Sequence, residues 1–196
     1  MSVAPFAWTH EKTRVEYDGV ALTVNGRHLP LDRIDRFSRN LSRSTAPGSW
    51  NRLDCGVSLL SDGEDTSVSF RGDAGTEQWG PWRPLWDQID ALAREEIEPR
   101  LLERTIRQVA EGTPAELCPF RAKGRGRLIV TAESIQVRKL FSRPIAWTAI
   151  TDVSGEFLEI TTAEPNGKPH IHRTGFGSAE WDAWQVAPLW RRFVAS

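Results

Sequence analysis

Cysteine is scarce in this chain of 196 residues, which has only two, Cys55 and Cys118. They belong to no paired-cysteine motif of the kind that binds zinc. The opening stretch MSVAPFAWTHEKTRVEY also lacks the apolar core of a signal peptide. Two free thiols without an export signal predict a protein of the reducing cytoplasm, and a structural disulfide between them is the less favoured alternative.

Long apolar runs and an excess of charge are missing as well. No stretch approaches the roughly 20 apolar residues that span a bilayer, so we expect no transmembrane segment. The net charge is −1, whereas dedicated nucleic-acid binders usually carry a clear basic excess, so we expect no specific nucleic-acid partner. Hydrophobic residues at 39% and charged residues at 26% are typical of a folded chain with a packed core.

Catalytic motifs are absent too. The sequence has no G-x-S-x-G elbow, no phosphate-binding G-x-x-x-x-G-K-[ST] loop and no H-E-x-x-H pair. The stretch KGRGRLIV supplies Gly124 and Gly126, but it lacks the third glycine of a dinucleotide fingerprint and leads into a predicted strand. We therefore predict that the chain is not an enzyme and holds no cofactor.

Tryptophan, in contrast, is abundant, with nine residues, and it marks an internal repeat. WGPWRPLW (79–86) and WDAWQVAPLW (181–190) share two spaced tryptophans and the ending Pro-Leu-Trp. Superposing their first tryptophans aligns further pairs without a gap: Trp82 with Trp184, Arg71 with Arg173, and Thr76 with Ser178. A hydroxyl residue before a run of helical periodicity is an N-cap signal. The pattern predicts one helix after Thr76 and one after Ser178, with the helix tryptophans in the core.

The repeat extends upstream of these helices. LPLDRIDRF (29–37) aligns with IAWTAITDV (145–153), and each follows a short alternating run typical of a half-buried strand. Each half then holds a further hairpin, with DGE or EPNG at its tip. Ile34 and Phe37 also fit a short amphipathic helix, but the alignment favours a strand. The insertion SRNLSRSTAPGSWNR (38–52) is predicted to be a mobile loop.

A stretch with a helical apolar stripe joins the two halves. Pro99 is expected to start a second helix or to kink a long one, and Gly112 to end it. We predict a first unit over residues 1–98, a helical linker over 99–112 and a second unit over 113–196.

Strands in meander order closed by one amphipathic helix, twice over, resemble the bacterial pleckstrin-homology-like (PH-like) domains. The resemblance is carried by LIVTAESIQV and FSRPIAWTAITDV, followed by GFGSAEWDAW. It implies an α+β fold of two tandem PH-like units, each a bent antiparallel β-sheet or partial barrel capped by a C-terminal amphipathic helix. Another α+β sheet-and-helix domain, duplicated in the same way, is the runner-up.

Basic residues cluster in the second unit. Seven stand against two acids between residues 113 and 144: Arg121, Lys123, Arg125, Arg127, Arg138, Lys139 and Arg143. Such a cluster can hold a phosphate or an anionic headgroup. The resemblance implies a basic first hairpin in lipid-binding members, and the stretch from Lys123 to Arg127 is similar but lacks their long loop. A solvated basic face is the favoured interpretation.

Two smaller features complete the candidates. His170 and His172 flank Ile171 in a predicted strand, so both imidazoles face the same side. They could chelate an ion with a third ligand, but none is identifiable, and we predict a solvated face and no metal site. Trp50 lies in a polar loop and is a candidate for partner contact.

These patterns predict a non-catalytic interaction or scaffold protein that binds a protein or peptide partner. The resemblance implies binding along a sheet edge or in a groove beside the helix. The alternative is peripheral binding to anionic lipid headgroups of a membrane, or to a phosphorylated ligand, through the basic face. A hydrolase or metal enzyme that uses His170 and His172 is a third, less favoured hypothesis.

Overall fold

The computed structural model describes residues 3–44, 52–73, 80–119, 126–138, 143–154, 157–164, 166–177 and 181–195. The chain divides into two compact units, Met1–Leu101 (unit 1) and Leu102–Ser196 (unit 2). No helix in the described residues is long and apolar enough to cross a bilayer.

Unit 1 begins with an antiparallel four-stranded meander: β1 (Phe6–His10), β2 (Thr13–Tyr17), β3 (Ala21–Val24) and β4 (Arg27–Pro30). A 3-10 turn (Leu31–Arg33) leads into a three-stranded meander: β5 (Ile34–Ser44), β6 (Arg52–Ser61) and β7 (Glu64–Asp73). Helix α1 (Arg83–Leu92) follows, and a π-helical turn (Ala93–Ile97) connects it to α2 (Glu98–Ala110).

Unit 2 has the same order of strands: β8 (Ala115–Pro119), β9 (Gly126–Val130), β10 (Ser134–Val137) and β11 (Ile145–Ala146) form its first sheet. A 3-10 turn (Trp147–Ala149) precedes β12 (Ile150–Ser154), β13 (Phe157–Ala163) and β14 (Pro169–Gly177). A further 3-10 turn (Ala183–Gln185) leads into helix α3 (Val186–Val194). The fold is therefore α+β with antiparallel sheets, and none of the four sheets in the described residues closes into a barrel.

The same side-chain-capped turn precedes the third strand of each unit. In unit 1 the Asp18 carboxylate accepts the backbone N–H groups of Val20 and Ala21 at 2.9 and 2.8 Å. In unit 2 the Thr131 hydroxyl accepts those of Glu133 and Ser134 at 3.3 and 3.1 Å. Asp and Thr both form this type of turn because a short side-chain oxygen can reach the backbone two or three residues ahead.

The 3-10 turns are also held in the same way. The N–H of Leu31 donates to the Val20 carbonyl at 3.1 Å, and the N–H of Trp147 donates to the Glu133 carbonyl at 3.0 Å. The next strand of each unit then has a register shift after its first residue, Ile34 or Ile150. The alignment of residues 29–37 with 145–153 thus pairs residues in matching structural positions.

The alignment of Arg71 with Arg173 is wrong. Arg71 lies opposite Asp54, the eighth residue pair from the β6–β7 turn, whereas Arg173 lies opposite Glu159, the fifth pair from the β13–β14 turn. The physical reason is turn length. Two residues connect β6 to β7, with positive φ at Asp62 and Gly63, while five connect β13 to β14.

Both helices begin later than the N-cap signals predict. Helix α1 begins at Arg83 and α3 at Val186, and neither has a side-chain hydrogen bond at its cap. Thr76 and Ser178 lie outside the described residues. Each helix instead carries a proline in its first turn, where the missing N–H costs no helical hydrogen bond.

Within the insertion predicted as a mobile loop, residues 38–44 and 52 are strand, and residues 45–51 lie outside the described residues. Strand β5 continues to Ser44, and β6 begins at Arg52 in register with it. Ile34 and Phe37 lie in this strand and are buried, which confirms strand over helix. The polar composition of this stretch suggested a loop, but a strand with one face exposed to water also contains many polar residues.

Pro99 is the second residue of α2, and Gly112, with φ +81°, follows the end of that helix. The π-helical turn before it was not predicted. The Glu98 N–H bonds to the Ala93 carbonyl, five residues back. A π turn accommodates a proline that would otherwise clash with the preceding turn of a regular helix.

Unit 2 packs around Trp147, which is 1% exposed. Its indole N–H donates to the Thr131 carbonyl at 2.9 Å, and its ring stacks on Phe193 of α3 with centroids 5.6 Å apart. Trp86 of α1 is buried in unit 1, as predicted for a helix tryptophan. Both cysteines, Cys55 and Cys118, are buried free thiols.

Replacing Trp147 with alanine should lower the free energy of unfolding by about 3–5 kcal/mol, because it leaves a cavity and an unpaired carbonyl. Trp147→Phe should cost less, since it keeps most of the buried area. Urea denaturation measures both, with Val20→Ala, at an exposed position, as the control. Equal losses for Trp147→Phe and Val20→Ala would contradict the central role of the indole.

Candidate functional site

The structure describes few of the predicted basic-face side chains. Arg121, Lys123, Arg125 and Lys139 lie outside the described residues, as does Trp50, and for Arg127 only the backbone in β9 is described. Arg143 is exposed. Arg138 lies 3.4 Å from the Glu116 carboxylate, an ion pair that offsets one charge of the predicted face.

A shallow cleft of about 500 Å³ lies beside β1 and β2, lined in part by Phe6, Glu16, Tyr17 and Asp18. Its polar groups already have partners. The Tyr17 hydroxyl donates to the Gly19 carbonyl at 2.9 Å, Glu16 pairs with an arginine, and Asp18 caps a turn. These contacts hold the turn together, so the cleft offers little to a ligand.

Arg39 of β5 forms ion pairs with two carboxylates of the helical segment in unit 1. Its guanidinium contacts the Asp90 carboxylate and lies 3.0 Å from Glu98 Oε1. Arg94 Nε adds a second contact to Asp90 at 2.9 Å. The Arg39, Asp90 and Glu98 side chains are 23%, 24% and 15% exposed, so the pairs are only weakly screened by water. We call these four residues the ion-pair bridge.

The π-helical turn explains how both carboxylates reach one guanidinium. In a regular α-helix, residues eight apart, such as Asp90 and Glu98, point about 80° away from each other. The wider π-helical turn over Ala93–Ile97 removes most of this 80° difference, so Asp90 and Glu98 point in similar directions. Sequence periodicity did not reveal the bridge, since its strand and helix partners are about fifty residues apart.

Burial raises the pKa of Glu98, while the Arg39 and Arg94 charges act in the opposite direction. Desolvation therefore outweighs the attraction to the arginines. When the pKa of an acid is higher in the folded than in the unfolded protein, the free energy of unfolding falls as the pH rises through the folded-state pKa. It recovers on acidification. In the ion-pair bridge, the partly buried negative charge of Glu98 is therefore tolerated only because Arg39 and Arg94 lie nearby.

The corresponding positions in unit 2 hold no such bridge. Aligning the buried residues Leu85 and Leu189 of the Pro-Leu-Trp motifs places Val194 where α1 has Asp90. Counting from Ile34 and Ile150 places Gly155 where β5 has Arg39. Gly155 lies outside the described residues, but glycine and valine carry no charge in any conformation. Unit 2 therefore lacks both partners of the ion pair.

Helix α3 lies beside β12, which pairs with β13 and with no other strand of the described residues. Val194, at the end of α3, is 48% exposed and is one of three exposed large apolar side chains in the described residues. The Asp152 carboxylate of β12 accepts a hydrogen bond from the Ser154 hydroxyl at 2.6 Å. We call β12 together with Val194 the open edge. Within the open edge, the exposed Val194 side chain occupies the position that corresponds to the ion-paired Asp90 of unit 1.

His170 and His172 do share one face of β14, as the sequence predicts, with ring centroids 4.4 Å apart. His170 Nδ1 lies 3.5 Å from Glu164 Oε1, and His172 Nε2 lies 3.0 Å from the Thr162 hydroxyl. Burial lowers the pKa of His172, and the neighbouring His170 adds to the effect. This face is solvated at His170, which is 53% exposed, as the sequence predicts, and half-buried at His172.

The described residues contain no group of three or more His, Cys, Asp or Glu side chains arranged to hold a metal ion. No protein-family model matches this sequence, and no curated protein matches it.

Replacing Arg39 with methionine should lower the free energy of unfolding at pH 7 by about 3 kcal/mol, because the half-buried Asp90 and Glu98 carboxylates lose their main partner. The loss should shrink toward pH 5, since Glu98 already has a raised pKa and protonates more readily without Arg39. Urea denaturation at the two pH values measures this. Arg83→Met, which removes an exposed pair with Asp87, is the matched control and should cost under about 0.5 kcal/mol. An equal loss for Arg39→Met at both pH values would contradict the assignment.

Proposed function

We propose that this chain is a non-catalytic interaction protein built from two PH-like units, which binds an extended segment of a partner protein along the open edge of unit 2. The order of elements supports the PH-like assignment, because each unit has a four-stranded meander, a 3-10 turn, a three-stranded meander and a following helix. Matching turns at Asp18 and Thr131 support a duplication.

The difference between the two units carries the proposal for binding. In unit 1, Arg39 spans from the edge strand β5 to Asp90 and Glu98, so charged side chains occupy the space beside the helix. In unit 2 the two positions are Gly155 and Val194. Two copies that share a fold but differ at this contact have different surfaces to offer a partner.

An edge strand presents unpaired backbone N–H and C=O groups to which an extended peptide can add as a further strand. Main-chain hydrogen bonds then supply affinity, and side-chain contacts supply specificity. Helix α3, which lies beside β12, ends in the exposed Val194, one turn after the basic Arg191. The partner segment is accordingly extended, with one apolar anchor residue.

Selection of unstructured peptides from a displayed random library, with the full chain as bait, tests the proposal. Selected peptides should carry an apolar anchor, and Val194→Asp should weaken their binding at least tenfold, because a charge would be buried against the anchor. Val20→Asp is the matched control, since Val20 is an exposed valine of unit 1, and it should leave binding unchanged.

Amide chemical shifts provide an independent readout of the location. Bound peptide should perturb the amides of Ile150–Ser154 more than those of β5. Both aspartate variants should keep the wild-type melting temperature within about 3 °C, since each changes an exposed site. Peptides that bind equally to both variants, or a library that yields none dependent on Val194, would overturn the proposal.

A further inference from the structure

The β13–β14 hairpin of unit 2 holds two imidazoles in a fixed arrangement. The His170 and His172 rings are 4.4 Å apart at an interplanar angle of 72°. Their strand, β14, pairs with β13, and Thr162 of β13 lies opposite His170. The Thr162 hydroxyl contacts His172 Nε2 at 3.0 Å. Neither the interaction proposed for the open edge nor the core of the unit uses these two rings.

A carboxylate is held beside one of the rings by the hairpin turn. Glu164 Oε1 lies 3.5 Å from His170 Nδ1, and Asn166 Nδ2 donates to Glu164 Oε2 at 3.1 Å. The backbone closes the turn, with the Glu164 N–H donating to the Lys168 carbonyl at 2.8 Å. A carboxylate beside the second ring nitrogen is a common feature of metal-binding histidines, where it fixes the tautomer and the ring orientation.

In the described part of the chain, these contacts engage one nitrogen of each ring. With Nδ1 of His170 turned to Glu164 and Nε2 of His172 turned to Thr162, the remaining nitrogens are His170 Nε2 and His172 Nδ1.

We propose that His170 and His172 form a bidentate site for a divalent transition-metal ion, with Glu164 orienting the first imidazole. A metal–nitrogen distance of about 2.0–2.1 Å places each ring centre about 3.2 Å from the ion. Two rings bound at a right angle then have centres about 4.5 Å apart, near the 4.4 Å observed. Right-angle nitrogen ligation suits Cu²⁺ or Ni²⁺, and water completes the coordination.

Calorimetric titration of the tag-free full chain with Cu²⁺ at pH 7.4 tests the site. The wild type should bind one ion that the double variant H170Q/H172Q does not bind. Each single variant, His170→Gln or His172→Gln, should weaken binding at least tenfold, because one imidazole remains. His28→Gln, which removes an exposed histidine of unit 1, should leave the affinity unchanged.

Two further measurements distinguish ligation from loss of structure. Glu164→Gln should weaken Cu²⁺ binding by about tenfold while leaving both imidazoles in place. The Cu²⁺ paramagnetic resonance spectrum of the wild type should show coupling to two imidazole nitrogens, and every variant should keep the wild-type circular dichroism. Wild-type affinity in H170Q/H172Q, an equal loss in His28→Gln, or a spectrum without imidazole nitrogen coupling would overturn the proposal.

Discussion

Each unit depends on one side chain buried at the 3-10 turn that connects its two sheets, Leu31 in unit 1 and Trp147 in unit 2. The backbone N–H of that residue bonds to the carbonyl that precedes the third strand. The bond ties the end of the first sheet to the start of the second. In unit 1, Arg27 of β4 adds a second connection between the sheets, because its guanidinium donates to the Ser61 and Asp65 carbonyls.

Local chemistry predicted much of the strand order. The Asn25-Gly26 turn has positive φ at both residues, as expected for that pair in a two-residue hairpin, and the alternating runs beside it are strands. Features of this kind are encoded within a few residues, so one sequence is enough to recognise them.

The features that were missed or predicted wrongly mostly depend on contacts between residues that are far apart in sequence. The ion-pair bridge joins Arg39 to Asp90 and Glu98, and no local pattern indicates which strand faces which helix. The imidazole pair was located correctly on one face, but its carboxylate neighbour depends on a turn that brings Glu164 back beside His170. Helix starts were misplaced because a hydroxyl residue is compatible with many loops besides a cap.

The two units illustrate how a duplicated fold can keep its frame and change its surfaces. The capped turns and the register shift after the 3-10 turn recur in both units. The bridge in unit 1 and the imidazole pair in unit 2 each lack an equivalent in the other unit's sequence. Such differences lie at edges and hairpin tips, where a substitution alters few core contacts.

The distribution of the two thiols has a practical consequence. Each unit contains one buried cysteine, Cys55 in unit 1 and Cys118 in unit 2. Burial raises the pKa of the Cys55 thiol to about 12, with the Asp54 charge adding to the effect, so at neutral pH it is protonated and inert toward alkylation. A thiol reagent reaches either sulfur only when the surrounding unit opens. The chain thus carries a separate internal reporter of opening for each half, with no label to be introduced.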